Sequence, residues 1–177
     1  MEYSLELQKI IQRKENSLSN LASTYSKLGE YQKALELGKK VYELSCKVLG
    51  EEHPDTLISL NNLASTYSEL GEHQKALELG KKAYELSCKV LGEEHPDTLV
   101  SLSNLALTYD EQGEHQKALE LRKKAYKLRC KVLEKEHPDT LMSINNLVSM
   151  YNEQDSGRKR YGGLLRRLWN WMKSLRK

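Results

Sequence analysis

Between Leu57 and Tyr67 the apolar side chains Leu57, Leu60, Leu63, Ala64 and Tyr67 recur at the spacing that gathers them on one side of a helix. Beyond Gly71 the pattern resumes with a wider face made of Ala76, Leu77, Leu79, Ala83, Tyr84, Leu86, Cys88, Val90 and Leu91. Gly71 stands at the break, where a residue able to take positive φ can end the first helix, and Gly92 does the same for the second. The pattern starts from His53-Pro54-Asp55-Thr56. Proline lacks only an N–H that a first helical turn leaves unpaired, and Asp55 suits the positive end of the helix. The stretch predicts helix, tight turn, helix, short loop.

The same text recurs. Residues 62–99 repeat residues 20–57 with three changes only, Lys27, Tyr31 and Val41 standing where Glu69, His73 and Ala83 stand later. Looser copies begin at Asn104 and Asn146, so the starts 20, 62, 104 and 146 are each 42 residues apart. A fixed period of this size means a solenoid, in which each unit is stable only when stacked on its neighbours. Two complete units are expected at about 13–50 and 55–92 and a diverged third at about 97–134, with Leu107, Arg122 and Glu134 as departures. A fourth keeps only its first helix, His137 to about Asn152. Residues 1–12 form an N-terminal helix or cap: residues 2–28 lack proline and glycine, which fits either a remnant of a second helix or one long helix.

These residues resemble the tetratricopeptide repeat (TPR), in the 42-residue form of kinesin light chains. The family's pattern of a large apolar residue, Leu, a small residue and Tyr on the first helix, with two small residues on the second, is met by Leu60, Leu63, Ala64, Tyr67, Ala76 and Ala83. The resemblance covers roughly residues 13–155, about 3.5 units. It implies an all-α fold, a right-handed superhelical solenoid of antiparallel helix pairs, and a scaffold that binds peptides or proteins. The chain departs from the pattern where the family tends to place a bulky residue between the two small ones: here stand Gly38, Gly80 and Arg122. A glycine inside a helix costs roughly 1 kcal/mol against alanine, so either close helix contact offsets it or the helix is locally soft.

Charge separates the end of the chain from the rest. Residues 156–177 carry eight basic side chains and no acidic one, which leaves 20 basic against 25 acidic in residues 1–155, a net charge of −5. The last part of this tail, LLRRLWNWMKSLRK, places Leu164, Leu165, Leu168, Trp169, Trp171, Met172 and Leu175 on one side of a helical wheel. It is expected to be a C-terminal basic amphipathic helix. It could replace the missing second helix of the fourth unit. It could instead lie on an anionic membrane through Arg166, Arg167, Trp169, Trp171 and Lys173, or fold back into the acidic groove as a partner-binding or autoinhibitory segment. Nucleic acid is disfavoured, because no recognition module accompanies the charge.

Cys46, Cys88 and Cys130 fall one per unit, a full repeat apart, and read as buried thiols of a cytoplasmic protein rather than as a disulfide framework. The first residues lack the basic and apolar regions of a signal peptide, and no stretch approaches the roughly 20 apolar residues of a membrane span. His53, His95 and His137 recur on loops one unit apart, which does not let ligands converge on a metal. They read as helix-start residues. Nothing pairs a nucleophile with a base or cradles a phosphate, so no enzyme activity, cofactor or metal is expected.

The candidate binding residues are a ladder of asparagines, Asn20, Asn62, Asn104 and Asn146, doubled by Asn61 and Asn145. They lie on first helices, off the apolar stripe, where helix propensity gives asparagine no advantage. Through the resemblance these helices line the concave surface, where family members clamp an extended peptide with such side chains. A carboxamide supplies donors and an acceptor together and so can hold a peptide backbone. It can equally bond a neighbouring unit and fix the stacking angle. Ser65, with Ser23, Ser68, Ser149 and Asn152, would complete the groove, and Glu69, Glu111 and Glu153 would make it acidic. The leading expectation is therefore a scaffold for a protein or peptide partner. An adaptor targeted through its tail, or a repeat fragment with no dedicated ligand, are the alternatives; the oligomeric state is open.

Overall fold

The structure is a computed structural model that describes residues 2–133 and 137–156. Among them the chain folds into α1 (Glu2–Lys27), α2 (Tyr31–Val48), α3 (Pro54–Glu69), α4 (His73–Leu91), α5 (Pro96–Glu111), α6 (His115–Val132) and α7 (Pro138–Ser156). The described residues contain no strand. Each helix packs on the next, and α3 also touches α5. The connections are only a few residues long, which forces consecutive helices antiparallel. Residues 2–27 make one continuous helix. None of the described helices is long and apolar enough to cross a membrane.

The turn within each unit is built by backbone geometry. Gly71 has φ +77°, its N–H donates to the Ser68 carbonyl at 2.9 Å, and the Glu72 N–H donates to the Tyr67 carbonyl at 2.9 Å. This pair of bonds is the Schellman arrangement, which satisfies the last carbonyls of a helix and needs a left-handed residue at its centre. Gly29 and Gly113 repeat it at the same φ.

Between units the next helix is started by histidine. The Nδ1 atoms of His53, His95 and His137 each accept the N–H of the aspartate two residues on, at 3.2 Å. Each ring therefore acts as an N-cap, one of the few ways to satisfy the free donors of a first turn. Because Nδ1 is the acceptor it carries no proton. Its approach of 3.7 Å to the Asp97 carboxylate in the third unit is thus a contact and not an ion pair.

Leu57, Leu60, Leu63, Ala64 and Tyr67 are all buried, as the first-helix stripe predicts. The second-helix face is narrower than the pattern suggests. Ala76, Leu77, Gly80, Ala83 and Ser87 are the buried positions of α4, whereas Val90 is 37% exposed. The close seam is thus carried by small residues, with Leu79, Tyr84, Leu86 and Leu91 only half-buried. Cys46, Cys88 and Cys130 are also half-buried free thiols, not the fully buried ones expected. In the last described pair, Leu147 is fully buried with Ala118, Leu119 and Tyr126, while Leu141 stays 47% exposed. The basic tail, with Arg166, Arg167, Trp169, Trp171 and Lys173, lies outside the described residues, as do the expected amphipathic helix and its capping role.

Candidate partner-binding groove

The small residues of the second helices set how closely the first helices approach. A methyl group built on Gly38 would meet Leu63 Cδ1 at 3.5 Å, and one on Gly80 would meet Leu105 Cδ1 at 3.5 Å. These are ordinary contacts, so helix packing is close there but leaves room for alanine. Above Gly38 and Val41 opens a groove segment of about 230 Å³. Its walls are Ser19, Ala22, Ser23 and Ser26 of α1 and Ser59, Asn62, Ser65, Thr66 and Glu69 of α3. A second segment, of about 310 Å³, lies two units further on, between Ser103, Asn104 and Leu107 of α5 and Met142, Ser143 and Asn146 of α7.

The asparagine ladder lies along these walls. Asn20, Asn62 and Asn146 are exposed and Asn104 is half-buried. Their backbone carbonyls take local bonds: Thr24, Thr66 and Thr108 return their hydroxyls to Asn20, Asn62 and Asn104 at 2.8, 3.0 and 3.1 Å. Their side-chain carboxamides make no hydrogen bond to any described residue. Ser65 lines the first segment and returns its hydroxyl to the Asn61 carbonyl at 3.2 Å. Asn145 is exposed. Asn61 differs: it is 6% exposed, lies away from these two segments, and its Oδ1 is buried without a partner.

The acidic wall doubles as a staple between units. Glu69 accepts the Ser26 hydroxyl at 2.6 Å from the preceding unit, and Glu111 accepts that of Ser68. In the third unit the arrangement is exchanged. Asp110 takes the place of that serine and Arg122 the place of the glycine, and the two meet at 3.1 Å with both side chains mostly buried. Asp110 also receives His115 Nδ1 at 2.7 Å. Two substitutions that look like independent decay of the repeat are thus one compensated pair, which puts a salt bridge on the groove floor. Each is visible in the sequence; that they touch is not.

A further set of contacts was missed in the sequence. The two glutamates of each EEHPDT loop reach lysines of the following unit's second helix: Glu51 to Lys82 at 3.5 Å, Glu93 to Lys124 at 3.2 Å, and Glu52 to Lys89 and Glu94 to Lys131. Lys124 is also held by the Tyr84 hydroxyl at 2.9 Å, and this bond raises its pKa above the usual lysine value. The recurrence of the acidic pair 42 residues from itself, against a lysine about 31–37 residues on, was the available signal. Among the described residues no group of three or more His, Cys, Asp or Glu is placed to hold a metal ion.

Stacked antiparallel helix pairs with groove segments between their first helices define a helical-repeat scaffold. The sequence model of the tetratricopeptide repeat matches residues 13–89 and 87–131, and the chain belongs to that family. Among solved structures it is similar to a kinesin light chain-type protein of Podosopora anserina with nearly identical TPR-like repeats, at 35% identity and a TM-score of 0.72, over 80% of this chain and 68% of that one. BtubC (BKLC) from P. vanneervenii shares the fold at 23% identity and a TM-score of 0.69, over 78% of this chain and 55% of that one. The Sgt2 TPR domain of Aspergillus fumigatus does so at 20% identity and a TM-score of 0.55, over 82% of each chain. No curated protein matches the chain at a significant level. Tetratricopeptide arrays are protein–protein interaction scaffolds and are typically not enzymes.

Proposed function

We propose that the groove along α1, α3, α5 and α7 holds an extended segment of a partner protein, with Asn20, Asn62, Asn104 and Asn146 bonding its backbone. The observation that carries this reading is that four carboxamides, one per unit at a 42-residue period, make no hydrogen bond to the described protein. A residue kept to fix the stacking angle would be bonded across the interface, and here serine–glutamate and lysine–glutamate contacts do that work. Ile58, Val100, Leu107 and Met142 are 43–50% exposed on the first helices and add apolar contact for a ligand's side chains. Units one and two offer nearly the same wall, which suits repeated weak contacts along a chain better than one strong pocket.

The test begins with affinity capture and mass spectrometry to name a partner. A segment of it is then titrated against wild type and against the double variant Asn62→Ala, Asn104→Ala. Removal of each carboxamide is expected to weaken binding by about 1–3 kcal/mol, with helicity by circular dichroism unchanged. Unchanged affinity per folded molecule, with a fall in helicity, would make the ladder structural and overturn the reading.

A further inference from the structure

The three interfaces between successive units contain one equivalent internal position, and the chain treats it differently each time. Between the third and fourth units it is occupied by Arg129, only 5% exposed. Its guanidinium donates to the Ser143 hydroxyl at 2.7 Å, to the Ser103 hydroxyl at 3.2 Å and to the Leu99 carbonyl at 3.2 Å. Burial lowers its pKa from the usual arginine value, and the nearby Asp139 carboxylate works in the opposite direction. Between the first and second units the position is closed by α1. Buried Glu15 accepts the Ser45 hydroxyl at 2.9 Å, and Gln12 reaches Asp55 at 3.5 Å.

Between the second and third units neither device is present. Ser87 stands where Arg129 stands one unit later, and a cavity of about 130 Å³ opens there. Its lining contains the counterpart of every group that holds Arg129. Asn61 replaces Ser103, Ser101 replaces Ser143, Leu57 replaces Leu99, and Asp97 replaces Asp139. Asn61 is more than nine-tenths buried and its Oδ1 has no partner. A buried amide oxygen left unbonded costs free energy that a matching donor would recover. The volume exceeds the share of a single water several-fold. At the rim, Ile58 and Val100 are 43% and 47% exposed, the right character for the methylene stem of a long cationic side chain.

We infer that this cavity is a receptor for the guanidinium of an arginine side chain on the partner segment, set as Arg129 is set in the next unit. A planar fork of five donors matches a site built from a carbonyl, hydroxyls and an amide oxygen, whereas a lysine ammonium is a point charge that matches it less well. Asn62 belongs both to the cavity wall and to the groove, so an arginine entering the cavity comes from a chain lying along the ladder. The inference rests on the groove reading for how the arginine is delivered, but the cavity is tested without any partner.

The probe is N-acetyl-arginine amide, titrated into the full chain and followed by the backbone and side-chain amide resonances of Asn61, Ser87 and Ser101. Saturable shifts at these residues are expected, with the lysine and citrulline analogues at least tenfold weaker. The variant Ser87→Arg installs the residue that the next unit already carries, and it should abolish the shifts while helicity is kept. Should that variant unfold, Asn61→Leu removes the orphan acceptor instead and should weaken the arginine probe by the same tenfold or more. Three results would overturn the inference: no saturable shift in wild type, equal response to citrulline or lysine, or a response that survives in a folded blocking variant. Any of these leaves the asparagine ladder standing. Loss of partner affinity on Asn104→Ala, a ladder residue outside this cavity, with a normal arginine-probe response separates the two readings in the other direction.

Discussion

His95 shows what one side chain does for this fold. Its ring closes the first turn of α5 through Nδ1, and the same bond recurs at His53 and His137. A cap needs an acceptor two or three residues before the donor, and histidine supplies it only in the tautomer that keeps its proton on the far nitrogen. Replacing His95 by alanine should lower unfolding free energy by about 1 kcal/mol, read by denaturant titration. His95→Asn, which carries a short side-chain acceptor, should recover most of that stability. If alanine and asparagine melt together and both match wild type, the ring is not a functional cap.

For whole helices the telling positions are the mid-helix glycines. Close contact and local softness are both open from the sequence as explanations for Gly38 and Gly80, and the packing decides between them. The nearest atom to an added methyl is the end of a leucine side chain at 3.5 Å, so contact is close but not exclusive. Gly80→Ala should therefore stabilise the array by about 0.5–1 kcal/mol, from the helix propensity it restores, and Gly38→Ala should do likewise. A drop in stability in either variant, measured by chemical denaturation, would mean that the helices close further than this geometry allows. Arg122 at the equivalent place in the third unit already shows that a side chain there can be accommodated, paired with Asp110.

The whole molecule is a stack whose interfaces are small-residue seams edged with charge. The lysine–glutamate pairs between units are exposed, and exposed pairs contribute little individually. They set the register of the stack more than its stability. At the far end Leu141 remains 47% exposed, and the basic tail, residues 156–177, is proposed to cover it with the apolar side of its expected helix. Burying two or three large side chains is worth several kcal/mol at about 25 cal/mol per Å². Trp169 and Trp171 are the only tryptophans of the protein, so their emission reports on this segment alone. Blue-shifted emission in plain buffer, turning red only with global unfolding, is expected. Emission of solvent-exposed tryptophan that moves to the blue only with anionic vesicles would favour the membrane-targeted alternative.

The sequence by itself determined the class of fold, the unit boundaries near the glycines and the His-Pro-Asp-Thr starts, and the first-helix core. All of these depend on short-range periodicity and on turn chemistry that a linear pattern carries in full. It also placed Asn20, Asn62, Asn104 and Asn146 at equivalent positions of successive first helices. Tertiary structure alone decided that Asn61 is buried while Asn62, its neighbour, faces the groove, because one step along a helix turns a side chain by about 100° and the next unit covers only one of the two. It decided that Ser87 and Gly80, polar or featureless in the pattern, are buried positions of α4, Gly80 packed against Leu105 and Ser87 beside the cavity between the second and third units. It also joined Arg122 to Asp110, and Arg129 to Ser143, across 12 and 14 residues. Substitutions at two places become one interaction only when stacking brings them together, and a single sequence records the substitutions without the distance between them.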